Sequence, residues 1–263
     1  LPYIVIDQQK IYYAGDLKRP GIPVIFCHGS GGRHQHWLFQ LKGIKDVANP
    51  LAVDLPGHGR SSGKPLNTVA AYRDWICRFK ETAGIEKFIL GGHSLGGAIA
   101  LAYALQYPDQ LLALILAGTG SRLKVLPSFL EALEQGFIPP AFSDYLYGSE
   151  ASHEMRKSGR KEVLDTKPEQ YHADLSACNN FDVMKELHHI SCPALIICGS
   201  EDQLTPLKYS KYLEENLALS SLRVIRGAGH MVMLEKPEEV NQAISEFIDK
   251  YFPEPARQSK LNL

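Results

Sequence analysis

The segment Gly92-His93-Ser94-Leu95-Gly96 lies between the apolar runs Phe88-Ile89-Leu90 and Ala98-Ile99-Ala100-Leu101. The first run has the length of a strand; the second has the character of a buried helix. Ser94 therefore occupies the corner where a strand turns into a helix. That context makes a G-x-S-x-G match a candidate nucleophile elbow. The pairs Gly91-Gly92 and Gly96-Gly97 leave room for so sharp a turn. A corner of this kind needs a parallel sheet beneath it, with its carboxyl edge open to a ligand, so the rest of the chain must supply one.

It does so by alternation. Strand-like runs are Ile11–Ala14, Val24–Cys27, Pro50–Val53, Phe88–Leu90, Leu112–Leu116, Ala194–Cys198 and Leu222–Ile225. Most are apolar on both faces, as strands in the middle of a helix-covered sheet must be. Helix-compatible segments such as Val69–Glu81 and Gly97–Gln106 separate them. The expected fold is α/β, with a mainly parallel central sheet flanked by helices. From about Ser121 to His189 no convincing strand appears, and Pro127, Pro139-Pro140 and Pro168 separate helix-like pieces. This stretch reads as a helical cap inserted over the carboxyl edge. The expected division is core over 1–120, cap over 121–189 and core again over 190–263. The tail after Phe252 reads as a loose end.

Size and charge exclude several classes. A chain of 263 residues can bury a sizeable single core. Its net charge of −1 offers no basic surplus for nucleic acid or anionic lipid. No apolar run approaches the roughly 20 residues that span a bilayer. Leu1–Asp7 is too short and too quickly polar for a signal peptide, although the chain does not begin with Met and a removed leader stays open. The five cysteines are widely spread and form no C-x-x-C, which reads as reduced thiols in the cytoplasm.

A serine hydroxyl is a weak nucleophile at neutral pH. It needs a base, and the base needs an orienting carboxylate. Asp202 follows the run ending at Cys198, and His230 follows the run ending at Ile225. Both strand ends are expected at the same edge as Ser94. Glu201, one residue away, is the rival acid, but its side chain is expected to point elsewhere. A developing oxyanion needs fixed donors. One is the Leu95 N–H at the head of the helix after the elbow. The other comes from His28-Gly29-Ser30-Gly31-Gly32 and is assigned to the Ser30 N–H, with Gly29 as the alternative.

Together these residues resemble the α/β-hydrolase family, whose triad runs in the order Ser, Asp, His. Asp54-Leu55-Pro56-Gly57-His58-Gly59-Arg60-Ser61 resembles a mainly structural loop of that family. Haloalkane dehalogenases and epoxide hydrolases of this fold carry an aspartate at the elbow, so Ser94 argues against both. The resemblance implies a serine carboxylesterase, with Ser94, Asp202 and His230 catalytic and Ser30 and Leu95 at the oxyanion; the density of aromatic and aliphatic residues in the cap stretch suggests small to medium, rather apolar esters as substrates. Gly29, Phe129, Phe142 and Tyr145 are the candidates for substrate contact. No cofactor and no metal is expected; the protein is expected to be a monomer or homodimer. A carbon–carbon bond hydrolase or lyase on acidic substrates, a lactonase or perhydrolase, and a slow-turnover ligand receptor remain alternatives.

Other residues carry weaker expectations. His34 and His36 lack metal-site spacing and are expected, with Trp37, at the mouth of the site or under the cap. Arg122, Arg156 and Arg160 are candidates for a substrate carboxylate, against a default of solvated surface charge.

Overall fold

The computed structural model describes residues 2–253. Eight strands form one sheet: β1 (Tyr3–Ile6), β2 (Gln9–Ala14), β3 (Pro23–Cys27), β4 (Asn49–Val53), β5 (Phe88–His93), β6 (Leu111–Ala117), β7 (Ala194–Gly199) and β8 (Ser220–Ile225). Their order across the sheet is β1-β2-β4-β3-β5-β6-β7-β8. β1 and β2 run antiparallel, as do β2 and β4; every pairing from β4 through β8 is parallel. The expected α/β sheet is thus present, with an antiparallel hairpin at one edge.

That hairpin departs from the expectation, which placed no strand at Tyr3–Ile6. Its turn residues Asp7 and Gln8 have φ of 48° and 66°. Two positive values in a two-residue loop make a type I′ turn, which normally advertises itself as Asn-Gly or Asp-Gly. Asp-Gln hides it.

Alternation along the central strands divides the core into two layers. Ile25 and Cys27 of β3 face one side, with Trp75, Ile76 and Phe79 of α2 (Val69–Thr82) and Ile99 and Tyr103 of α3 (Leu95–Gln106). Val24 and Phe26 face the other, with Trp37 and with Ile244 and Phe247 of the last helix. α2 starts at Thr68, whose hydroxyl accepts the Ala71 N–H at 3.1 Å and satisfies one of the helix's orphan donors. α1 (Leu38–Gly43) lies on the second face.

Between β6 and β7 the chain forms α4 (Pro127–Glu134), α5 (His153–Asp165) and α6 (Pro168–Asn179). Among the described residues its only β contact is the isolated bridge Arg122–Asp182. Leu133, Ile138, Val163 and Tyr171 form a small apolar cluster of their own there. α7 (Leu207–Asn216), α8 (Val232–Glu235) and α9 (Pro237–Tyr251) complete the chain. β8 is the outer strand, and Val224 on it is exposed. No described helix is long and apolar enough to cross a membrane. Apart from Pro253, the tail expected to be loose lies outside the described residues.

Candidate active site

Parallel strands bring their carboxyl ends to one edge, and ligands of open α/β sheets bind there. β3 and β5 are neighbours, with Cys27 opposite Gly92. The loop after β3 therefore lies beside the corner after β5. β7 and β8 are also neighbours, with Gly199 opposite Ile225. That register places the segments carrying Asp202 and His230 side by side.

Ser94 adopts φ 52° and ψ −113°, a conformation that L-residues rarely accept. Four bonds hold it. Its N–H donates to the Ala117 carbonyl at 3.0 Å, and its carbonyl accepts Gly97 N–H at 2.9 Å, Ala98 N–H at 3.2 Å and the Thr119 hydroxyl at 2.8 Å. Close approach makes glycine necessary here: a Cβ on Gly92 would collide with the Gly96 carbonyl. Leu95 opens α3, so its N–H has no partner within the helix and is free for a ligand.

Asp202 is buried and accepts four hydrogen bonds. Oδ1 takes the N–H groups of Leu204 at 2.9 Å and Thr205 at 2.8 Å; Oδ2 takes the Thr205 hydroxyl at 2.7 Å and His230 Nδ1 at 2.9 Å. Burial opposes its charge. The His230 imidazole and the Thr205 donors outweigh burial and hold its pKa below the ordinary carboxylate value. An anion at Nδ1 fixes the proton there and leaves Nε2 as the basic nitrogen. Glu201 turns away, accepting the N–H and hydroxyl of Ser149 at 2.5 and 2.8 Å.

Ser94 and His230 share the wall of a cavity of about 510 Å³. Gly29, Ser30 and Gly31 form part of one side; Phe129, Phe142 and Tyr145 form part of another. All nine residues expected at the site therefore lie on or directly behind one space: Asp202 stands behind His230, and Leu95 is the residue after Ser94. Phe142 joins Phe129 and Tyr171 in one aromatic group, with ring centroids 5.0 and 5.4 Å apart.

Residues 24–243 match the model of the family described as the alpha/beta hydrolase family. The chain belongs to that family. A solved structure described as that of a thermophilic esterase is 37% identical, with a TM-score of 0.82 over 95% of this chain and 97% of that one. The putative carbamate hydrolase RutD of Caulobacter sp. (strain K31) is 28% identical over 86% of this chain and 90% of its own length. The dihydrolipoyllysine-residue acetyltransferase component of the acetoin cleaving system of Pseudomonas putida is 29% identical over 88% of this chain, which spans only 64% of that protein.

Within this alpha/beta hydrolase, some expected neighbours of the site are placed differently. Of the trio His34, His36 and Trp37, only His36 lines the cavity. Trp37 is fully buried in the core, its indole N–H on the Cys27 carbonyl at 3.1 Å and its ring stacked on Phe26. His34 is tied to Asp54 at 2.9 Å, away from the cavity. A bulky apolar ring gains more from the sheet face than from a wet mouth, and an anionic Asp54 captures His34. None of Arg122, Arg156 and Arg160 lines the cavity: Arg122 pairs with Asp182, and Arg156 donates to the Tyr147 and Gly148 carbonyls.

Two residues were not anticipated. His93 is buried behind the site; its Nε2–H donates to the His230 carbonyl at 3.0 Å, and its ring lies 4.5 Å from the His230 ring. Burial and the neighbouring His230 and His36 push its pKa well below the ordinary value, so it stays neutral. Glu162 of α5 lines the cavity, accepts His36 Nε2–H at 2.9 Å and forms an ion pair with Arg33 Nε at 3.2 Å. Burial opposes its charge too, but His36 and Arg33 hold its pKa below the ordinary glutamate value. Glu162 is 126 positions from His36, so no local pattern in the sequence announces the contact.

Proposed function

We propose that this protein is a serine hydrolase of carboxylic esters that works through an acyl-enzyme. The carrying observation is the Asp202–His230 contact of 2.9 Å behind a cavity that His230 shares with a serine at a strained strand–helix corner. His230 Nε2 takes the Ser94 proton as Oγ attacks the ester carbonyl carbon. The N–H groups of Leu95 and Ser30 hold the resulting oxyanion. The C–O bond then breaks, and the alcohol leaves with the proton from His230. His230 next deprotonates a water, which attacks the acyl carbon; the acid departs and Ser94 regains its proton. The anionic Asp202 stabilises the imidazolium in both halves. The helices between β6 and β7 act as the cap, and the five free cysteines fit a reducing, cytoplasmic setting.

The cavity favours uncharged, apolar esters. Aromatic and aliphatic side chains line much of it. Glu162 adds negative charge, and Lys124 Nζ is engaged by the Asn179 carbonyl at 2.7 Å. Among the described residues no arginine lines the space, so a dianionic substrate meets repulsion rather than a clamp. This disfavours the carbon–carbon hydrolase and lyase readings. The test is hydrolysis of p-nitrophenyl esters, from acetate to long acyl chains, beside a dianionic dienoic acid. Fast turnover of short to medium esters is expected. Preferred cleavage of the dianion would refute the proposal.

A further inference from the structure

Helix α6 rests on the loop after β3. Three of its residues, spaced along one face, touch that loop. Cys178 Sγ lies 3.8 Å from the Ser30 hydroxyl. Tyr171 packs so closely over Gly31, whose φ is 67°, that a Cβ there would collide with the ring. Asp174, fully buried, accepts the Gly31 N–H at 2.8 Å on Oδ2.

Asp174 has two further partners, both from the core. Oδ2 also accepts His58 Nε2 at 2.8 Å, and Oδ1 accepts the Tyr72 hydroxyl at 2.6 Å. His58 Nδ1 lies 2.9 Å from the Pro56 carbonyl. Both ring nitrogens of His58 thus face oxygen acceptors, and each must carry a proton to bond them. His58 is therefore an imidazolium, buried beside an anion. Burial opposes the charge. Asp174, with its hydrogen bond, and the Pro56 carbonyl overcome burial and raise the His58 pKa above the ordinary value. The remaining charged or titratable neighbours are few. Asp54 adds to the attraction. The His28 ring lies 4.9 Å away and is neutral: it accepts the Leu55 N–H at Nε2, and burial with the His58 charge lowers its pKa to about 3. Tyr72 is kept protonated by its own burial and by Asp174, and burial keeps the Cys178 thiol protonated.

We infer that Asp174 and His58 are positioning residues that hold the Ser30–Gly31 peptide, and with it the oxyanion donor of Ser30, in its working orientation. The inference rests on the ester-hydrolase reading for its catalytic consequence. The Gly31 N–H belongs to the peptide that follows Ser30, so its bond to Asp174 fixes ψ of Ser30. The Gly32 N–H donates to the Gly29 carbonyl at 3.0 Å and closes the turn from the other side. A carboxylate shared by a loop amide, an imidazolium and a phenol is a rigid anchor. Loss of the His58 proton removes its electrostatic half. The loop then relaxes, and the oxyanion donor loses its preorganisation, which lowers kcat more than substrate binding.

The test compares wild type, Asp174→Asn and Tyr72→Phe by steady-state kinetics on p-nitrophenyl butyrate from acid to alkaline pH. NMR of the same proteins follows exchange of the Gly31 amide and titration of His58. For folded Asp174→Asn, kcat is expected to fall about 10–100-fold with KM within about threefold. The alkaline limb that wild type owes to His58 should disappear, the His58 pKa should drop and Gly31 should exchange faster. Tyr72→Phe keeps the charge pair and should retain the alkaline limb. Wild-type kcat, pH profile and Gly31 protection in Asp174→Asn would overturn the inference. Absent ester turnover in wild type, with the Gly31 and His58 signatures as described, would instead overturn the ester reading and leave the anchor standing.

Discussion

Ser94 carries strain, and its surroundings show what maintains it. A residue at φ 52° and ψ −113° persists only because Ala117, Gly97, Ala98 and Thr119 bind its backbone. Ser94→Ala should preserve that frame and lower kcat by about 10³-fold or more, with KM little changed. Asp202→Asn is a second test at this scale. It keeps the shape but removes the anion that sets the His230 tautomer, and kcat should fall by about 10⁴-fold. Steady-state kinetics with a chromogenic ester reads both. Ser94, Asp202 and His230 are legible in the sequence as candidates because each follows a recognisable strand. His93 was not. Its neighbourhood in the sequence is the elbow itself, and only the fold shows that its Nε2–H supports the His230 carbonyl.

At the scale of elements, strands are legible in the sequence wherever both faces are buried. β3 to β7 announce themselves as apolar runs, with ends misplaced by at most three residues, and β8 was recognised from its last four residues. β1 was missed, because its turn uses Asp7-Gln8 rather than a glycine. The helical stretch between β6 and β7 was legible as an absence of strands, but its contacts were not. Asp174 meets His58 across 116 positions of sequence, and hydrophobic periodicity carries no information about such a meeting. The same stretch gives a prediction about specificity. Phe142 stands between Phe129 and Tyr171 at the cavity wall. Phe142→Ala should therefore move the best acyl chain of a p-nitrophenyl series to greater length. An unchanged optimum would mean that the acyl group lies elsewhere.

For the whole molecule, two buried carboxylate–imidazole pairs set opposite limits on stability. The folded pKa of Asp202 lies below its unfolded value of about 3.9. Its pairing contributes stability above that value and loses it as pH falls through the folded pKa. His58 behaves the other way, with a folded pKa above its unfolded value of about 6.5. Its contribution is complete below that value and disappears as pH rises through the folded pKa. Calorimetry should therefore show Tm falling toward both extremes. Asp174→Asn should flatten the alkaline fall and leave the acid one in place. The two pairs also sit in different places: Asp202 contacts His230, while Asp174 joins α6 to His58, Tyr72 and the loop after β3.

The most direct measurement of the central claim is the intact mass of the protein after exposure to a p-nitrophenyl alkylphosphonate, with the modified peptide then sequenced. Release of one equivalent of p-nitrophenol, with one phosphonyl adduct located on Ser94 and none on Ser94→Ala, is the expected result. A folded wild type that stays unlabelled, or carries its adduct on another residue, would contradict the assignment of Ser94 as the nucleophile.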